Sequence, residues 1–247
     1  MPMVKIQYYP LSEAEQASGT VIVIDVLRAF TTAAFAFDRG ARLILPVSRV
    51  EEAVTLAEAL PGSGIMGEVN GYQPEAFHFS NSPGALLEQD LAGQVLIQRT
   101  SAGTQGLVKS VRAESLFAAS FVVAWATAQA VARAQPERVS FVITGVSEGR
   151  DGDEDLACAE YIAGLIKGER PDPAPYLARV LTSTVGRDFA GGSLGYLLRE
   201  DMDLCLQVDR FSFAMPVRRE NGHLEMRPFP QPPREDDPGN MEYDKYR

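Results

Sequence analysis

The run Val21-Ile-Val-Ile-Asp-Val-Leu-Arg-Ala-Phe-Thr-Thr32 sets the architecture of this chain. Its β-branched opening, Val21 to Ile24, predicts a strand buried on both faces, as in a parallel sheet. Asp25 ends that strand and Arg28 follows on the next turn of chain. From Ala29 the composition becomes helix-forming and stops at Gly40. A carboxylate and a guanidinium at the C-terminal end of a buried strand stand where open α/β sheets bind ligands. The same pair could instead form an ion pair that caps a helix, so function has to be argued from what else converges there.

The pattern repeats on either side. Val4 to Tyr8 and Ala41 to Pro46 read as strands, and Ser48 with Glu51 reads as a capping box for a helix over Val50 to Leu60. Ile65-Met66 starts a strand that runs into Gly67-Glu68, followed by a polar, turn-rich stretch over 70–90. A second series starts at Val95-Leu-Ile-Gln. It continues through a helix from Ala102, a strand over Ser115 to Ala118, a helix over Val122 to Ala134 and a buried strand over Val139 to Thr144. The acidic loop 147–155 and a helix over Leu156 to Ile166 follow. Strand, polar loop, helix, strand, helix, strand and glycine therefore occur in the same order over 21–67 and 95–145, which suggests an internal duplication. The expected fold is α/β: a three-layer α/β/α arrangement on a mostly parallel or mixed sheet, with right-handed crossovers. After Gly168 a smaller α+β portion is expected, with helices over Tyr176 to Thr182 and Ser193 to Glu200. Leu204 to Val208 reads as either strand or helix, and short strands are expected over Asp209 to Val217 and Leu224 to Phe229. Residues 1–229 are expected to form a single domain, with candidate halves 1–90 and 91–229. Residues 230–247 form a proline-rich, charged tail.

Composition narrows the function. The net charge of −10 leaves no basic stripe for nucleic acid. No apolar run approaches the ~20 residues of a membrane span. Cys158 and Cys205 fit a reducing cytoplasm better than a disulfide framework. Several motif matches fail on context. Gly62-Ser-Gly-Ile-Met-Gly67 follows a helix and enters a strand, the reverse of a dinucleotide fingerprint. Asp151-Gly-Asp-Glu-Asp155 lacks the glycine and the final glutamate of a calcium loop. Leu27 stands where an Asp-x-Asp nucleophile would need its second carboxylate. His78 and His223 are too few for a histidine-based site.

What remains is a set of polar clusters, each at the end of a predicted strand: Asp25 and Arg28, then Glu68, then Arg99-Thr-Ser-Ala-Gly-Thr104, then Glu148 to Asp155. In a parallel sheet such ends share one edge. Thr100 to Thr104 offers hydroxyls, amides and a helix start, a candidate oxyanion cradle. Carboxylates from separate loops suit a hard cation such as Mg²⁺. Glu154 and Asp155 could alternatively complement a helix dipole, and Cys158 reads as a core residue.

Asp25-Val-Leu-Arg-Ala, Gly67-Glu68, Asn81-Ser-Pro, Thr100-Ser-Ala-Gly-Thr104 and Glu154-Asp-Leu-Ala-Cys158, in this order, resemble the 2-phosphosulfolactate phosphatase family. The resemblance spans about residues 4 to 215. It implies an α/β, Mg²⁺-dependent phosphatase, linked to coenzyme M biosynthesis, that converts 2-phospho-3-sulfolactate to 3-sulfolactate and phosphate. Asp25, Glu68, Glu154 and Asp155 are then the candidate metal ligands, with Asp25, Arg28 and Glu154 in catalytic roles. Arg28, Asn81, Ser82, Arg99, Thr100, Ser101, Gly103 and Thr104 are the candidate substrate contacts, Arg99 for a second anionic group. The expected partners are a small anionic phosphorylated substrate and a possible homo-oligomer, with neither nucleic acid nor membrane. One departure, Val69 in place of a basic residue after Glu68, motivates an alternative: a non-catalytic anion-binding or regulatory module on the same scaffold.

Overall fold

The computed structural model describes residues 4–147, 149–191 and 199–232. The chain forms strands β1 (Lys5–Pro10) and β2 (Ser18–Ile24), helix α1 (Ala29–Asp38), β3 (Leu43–Val47), α2 (Val50–Ala59), β4 (Gly64–Gly67), β5 (Phe79–Ser80) and β6 (Val95–Arg99). Then come α3 (Gly103–Lys109), β7 (Arg112–Ala119), α4 (Ala124–Arg133), β8 (Arg138–Ile143), α5 (Asp153–Ile166), α6 (Ala174–Thr182), α7 (Thr184–Gly191) and α8 (Arg199–Cys205). β9 (Phe213–Glu220), β10 (His223–Met226) and β11 (Phe229–Pro230) close the described chain.

The fold is α/β on one mixed sheet, ordered β1-β8-β2-β7-β9-β10-β3-β6-β4-β5, with β11 alongside β9. β1, β8, β2 and β7 are mutually parallel, as are β3, β6, β4 and β5. Between these sets lies the antiparallel hairpin β9–β10, which joins β7 on one side and β3 on the other. The order has a two-fold pattern: exchanging β1, β2, β3, β4 and β9 with β5, β6, β7, β8 and β10 and reading it in reverse reproduces it. The duplication expected from the element order is therefore visible in the topology. Its halves are not separate bodies, because β6 inserts between β3 and β4 while β2 lies between β7 and β8.

This arrangement revises how the strand ends meet. Three antiparallel pairings in succession reverse the direction of the second set, so a flat sheet would send the ends of β2 and β6 to opposite edges. The sheet curls instead. Gln98 Nε2, on β6, donates to the Ala29 carbonyl at 2.9 Å, and Gly103 at the start of α3 packs against Asp25. Convergence thus comes from curling rather than from a shared parallel edge.

Burial explains the layers. Val21 to Ile24 are all fully buried, as their β-branched run required. On β3 the faces alternate: Leu43, Leu45 and Val47 pack with Ala53 of α2, whereas Ile44 joins the main core. Gly106 lets α3 approach closely, since a Cβ there would lie 2.6 Å from Val23 Cγ1.

Several boundaries move. α5 starts at Asp153 instead of Leu156, and β9 covers 213–220 rather than 209–217. Arg49, not Ser48, stands at the N-cap of α2, without a side-chain cap; Ser48 instead donates through N (3.3 Å) and Oγ (3.4 Å) to Glu52 Oε2, so the capping box with Glu51 does not form. The helix expected over Ser193 to Glu200 falls mostly outside the described residues; α8 holds its last residues and extends to Cys205, which resolves Leu204 and Cys205 as helical. Glu148 and most of the tail, 233–247, likewise lie outside them. Among the described residues no helix is long and apolar enough to cross a membrane.

Candidate active site

Both parallel sets deliver their strand ends to a cleft of about 350 Å³, whose walls include Asp25, Arg28, Glu68, Asn81, Ser101, Thr144, Arg150 and Asp188. A larger hollow of about 440 Å³ around Leu116 and Val217 includes none of the residues singled out from the sequence. The smaller cleft is therefore the candidate site.

At the end of β2, Asp25 Oδ1 accepts the Ala29 amide at 2.9 Å, so the helix-capping reading holds for this carboxylate. Asp155, in the first turn of α5, accepts the Val26 amide through Oδ1 (2.8 Å) and the Gly145 amide through Oδ2 (2.7 Å), with Thr144 Oγ1 at 3.2 Å. The end of β6 repeats this plan. Thr100 Oγ1 accepts the Thr104 amide at 3.0 Å, and Glu68 accepts the Ser101 amide through Oε1 and the Gly71 amide through Oε2 (2.6 Å). Thr100 thus takes the place of Asp25, Ser101 that of Val26, and Glu68 that of Asp155, at one constant offset for the first two. The cleft lies between two copies of one local motif, and only the first retains a carboxylate at the strand end.

Two glycines are required by close approach. A Cβ on Gly67 (φ +133°) would lie 1.9 Å from the Arg99 carbonyl oxygen, which accounts for the Gly67-Glu68 pair. A Cβ on Gly103 would lie 2.7 Å from Asp25 Oδ2 and 2.8 Å from Ala29 Cβ. Gly103→Ala is therefore expected to cost ~1–3 kcal/mol through overpacking, read as a lowered denaturant midpoint with an unchanged slope.

Electrostatics single out the carboxylates. Burial is the main cause that pushes the Asp25 carboxyl up to about 6, with Glu68 and Glu154 adding and the Ala29 amide opposing. Burial also raises Glu154, and raises Asp155 further, with Glu154 and Asp25 adding to the latter. Glu154 Oε2 is buried with no hydrogen-bond partner. Its Oε1 lies where a Cβ on Gly145 would come within 2.5 Å, directly behind the cleft wall.

The remaining candidates divide by what already occupies them. Arg28 lines the cleft, yet its ion-pair partner is Asp201 (Nη1 to Oδ2, 2.5 Å), not Asp25. Phe189 packs on its guanidinium, 5.6 Å from ring centroid to Cζ. Asn81 is buried at the wall with Oδ1 unpartnered, whereas Ser82 Oγ donates to Asp201 Oδ1 at 2.7 Å. Arg99 is tied inward: Nε donates to the Ser48 carbonyl (3.3 Å), and Nη1 to the Glu68 carbonyl (2.7 Å) and Ser101 Oγ (3.2 Å). Thr100 and Thr104 satisfy each other, and Glu68 takes the Ser101 amide of the expected oxyanion cradle. Cys158 is fully buried among core residues.

Sequence reasoning missed Asp201, Arg150, Thr144 and Asp188. Arg150 stood inside the acidic loop, and Thr144 at its strand end, so both were findable. Asp201 and Asp188 had no motif to mark them.

The donor set fits a divalent cation. Asp25, Glu68, Glu154, Asp155, Asp188 and Asp201 face or back the cleft against Arg28 and Arg150. That excess of negative charge repels a phosphate unless a cation offsets it. Among the described residues no three His, Cys, Asp or Glu side chains form a ready coordination group. Mg²⁺ needs only one or two carboxylates and otherwise keeps its waters. Asp25 and Glu154 are the carboxylates suited to it, because both oxygens of Glu68 and Asp155 are already held by backbone amides.

Comparison with known proteins gives the family. The family model described as 2-phosphosulpholactate phosphatase matches residues 7–220. A protein of Bacillus subtilis (strain 168) named "Probable 2-phosphosulfolactate phosphatase" is 34% identical over 200 residues, covering 81% of this chain and 87% of its own length. Proteins with the same name from Carboxydothermus hydrogenoformans (34% over 167 residues; 68% of each chain) and Thermoplasma acidophilum (28% over 188 residues; 76% and 81%) are also similar. This chain belongs to the 2-phosphosulpholactate phosphatase family and is a phosphoric monoester hydrolase.

Proposed function

We propose that the chain is a Mg²⁺-dependent phosphatase that hydrolyses 2-phospho-3-sulfolactate to 3-sulfolactate and inorganic phosphate. The observation that carries this reading is the cleft itself: carboxylates in excess, an arginine held in place on its wall, and a buried glutamate oxygen without a partner. The printed names of the relatives supply the substrate.

Asp25 and Glu154 would hold the ion, which polarises the phosphoryl oxygens and lowers the pKa of a bound water. Asp155 and Glu68 fix the backbone on which the reacting groups stand: one ties Val26 to Gly145, the other ties Ser101 to Gly71. Arg28, with Nη1 committed to Asp201, would offer its remaining N–H groups to the phosphate from a position that the ion pair fixes. The Asn81 amide, on the same wall, would orient the other oxygens of the substrate. Hydrolysis breaks the P–O ester bond, and the hydroxyl of the leaving acid takes the proton that water gives up.

The test is phosphate release from 2-phospho-3-sulfolactate by the purified chain, with EDTA and after adding Mg²⁺. Release that depends on the added ion supports the proposal. A chain that releases no phosphate in either condition overturns it in favour of the anion-binding alternative, and release in EDTA overturns the metal requirement.

A further inference from the structure

Sequence reasoning gave the second anionic group of the substrate to Arg99, but the guanidinium of that residue is spent on the Ser48 and Glu68 carbonyls. Arg28 is buried and paired with Asp201. The arginine left on the cleft wall is Arg150, which is exposed. Its backbone closes a tight turn with Ser147: Ser147 N donates to the Arg150 carbonyl (3.3 Å) and Arg150 N to the Ser147 carbonyl (3.0 Å). Gly149, at φ +77°, allows that turn, which stands on the short segment between β8 and α5. The side chain therefore reaches the cleft wall from the segment that leads into α5, the helix that carries Glu154.

We propose that Arg150 is a specificity-determining residue that reads a second anionic group, a sulfonate or a carboxylate, one carbon away from the hydroxyl that carries the phosphate. This rests on the phosphatase reading and extends it. A planar guanidinium matches the paired oxygens of either group, and a lysine would not reproduce the fork. In a cleft otherwise dominated by carboxylates, a substrate tail with negative charge gains only where a cation meets it. Charge-assisted hydrogen bonds of this kind are worth about 10- to 100-fold in affinity.

The experiment measures binding and does not depend on turnover. Calorimetry in the presence of Mg²⁺ compares 3-sulfolactate, malate and lactate on the native chain, on Arg150→Ala and on Arg150→Lys. The expected result is that the native chain prefers 3-sulfolactate or malate over lactate by about 10-fold or more, that Arg150→Ala erases the preference, and that Arg150→Lys keeps part of it. Which of the first two binds more tightly separates a sulfonate from a carboxylate reader. A native chain without the preference, or an Arg150→Ala variant that retains it, overturns the assignment. Phosphate release by the same native preparation reports on the phosphatase reading separately, so the two can fail independently.

Discussion

Asp25→Asn is expected to melt at a higher temperature than the parent chain at pH 7.5 in EDTA, and to release phosphate at least about 1,000-fold more slowly when Mg²⁺ is present. The stability half follows from the buried carboxyl. Its folded pKa is raised from 3.8 to about 6. The folded state therefore binds the proton more tightly than the unfolded state does, and this contribution is fully present below pH 3.8. It is lost as pH rises through about 6. Above that point the folded chain carries a desolvated charge at a cost of roughly 3 kcal/mol. Asparagine keeps an oxygen for the Ala29 amide and removes the charge. For a chain of this size the gain amounts to roughly 5–10 °C in Tm. Melting curves at pH 4.5 and 7.5 check the sign: the advantage of the variant should appear at the higher pH and shrink at the lower one. Mg²⁺ should reverse the ranking, because it stabilises the parent and has little to bind in the variant. A variant that melts below its parent at pH 7.5 in EDTA would show that Asp25 is not a strained, cation-awaiting group. Stability given up at the reaction centre is the expected trade in enzymes.

The legibility of the site in the sequence follows the same division between local and distant chemistry. Val21 to Ile24 and Val95 to Ile97 announced buried strands because β-branched runs have few other uses. Asp25, Glu68 and Thr100 stood at their ends because the strand pattern stops there. The capping contacts at Ala29 and Thr104 are i to i+4 relations, also written locally. The curl was not legible. It depends on β9 and β10, strands of weak alternation that insert between the parallel sets. Nor could composition show that Arg99 is consumed by carbonyl oxygens or that Glu68 fills its own cradle. Which acceptors a long side chain meets is decided by tertiary packing, and Arg99 and Arg150 look alike until the contacts are known.

The Arg28–Asp201 pair was the least legible element and carries the other large effect. Its members lie 173 positions apart, and in the sequence Asp201 resembles any acid in the first turn of a helix. Both are buried, at 5% and 0% exposure. Asp201 Oδ1 accepts from Ser82 Oγ (2.7 Å) and from the Gly84 amide (2.9 Å), so the carboxylate is saturated and pins α8 to the loop after β5. Asp201→Ala strands a buried guanidinium and leaves both donors unpaired, a loss of about 3–5 kcal/mol. That is a large share of the stability of an ordinary domain. Asp201→Asn keeps one acceptor oxygen for Ser82 and Gly84 but removes the charge and sets an amide donor against Arg28, so it tests the ionic contact while sparing the other two. Replacing both partners at once, Arg28→Met with Asp201→Leu, should recover much of the stability lost in Asp201→Ala, because no buried charge then remains. Phosphate release should stay abolished in that double variant, since the arginine on the cleft wall is gone. Urea midpoints of the single and double variants give the coupling directly. A cost below about 1 kcal/mol for Asp201→Ala would mean that the guanidinium reaches water when its partner is removed. In that case Arg28 owes its orientation to Phe189 and the strand end alone, and α8 has no part in the site.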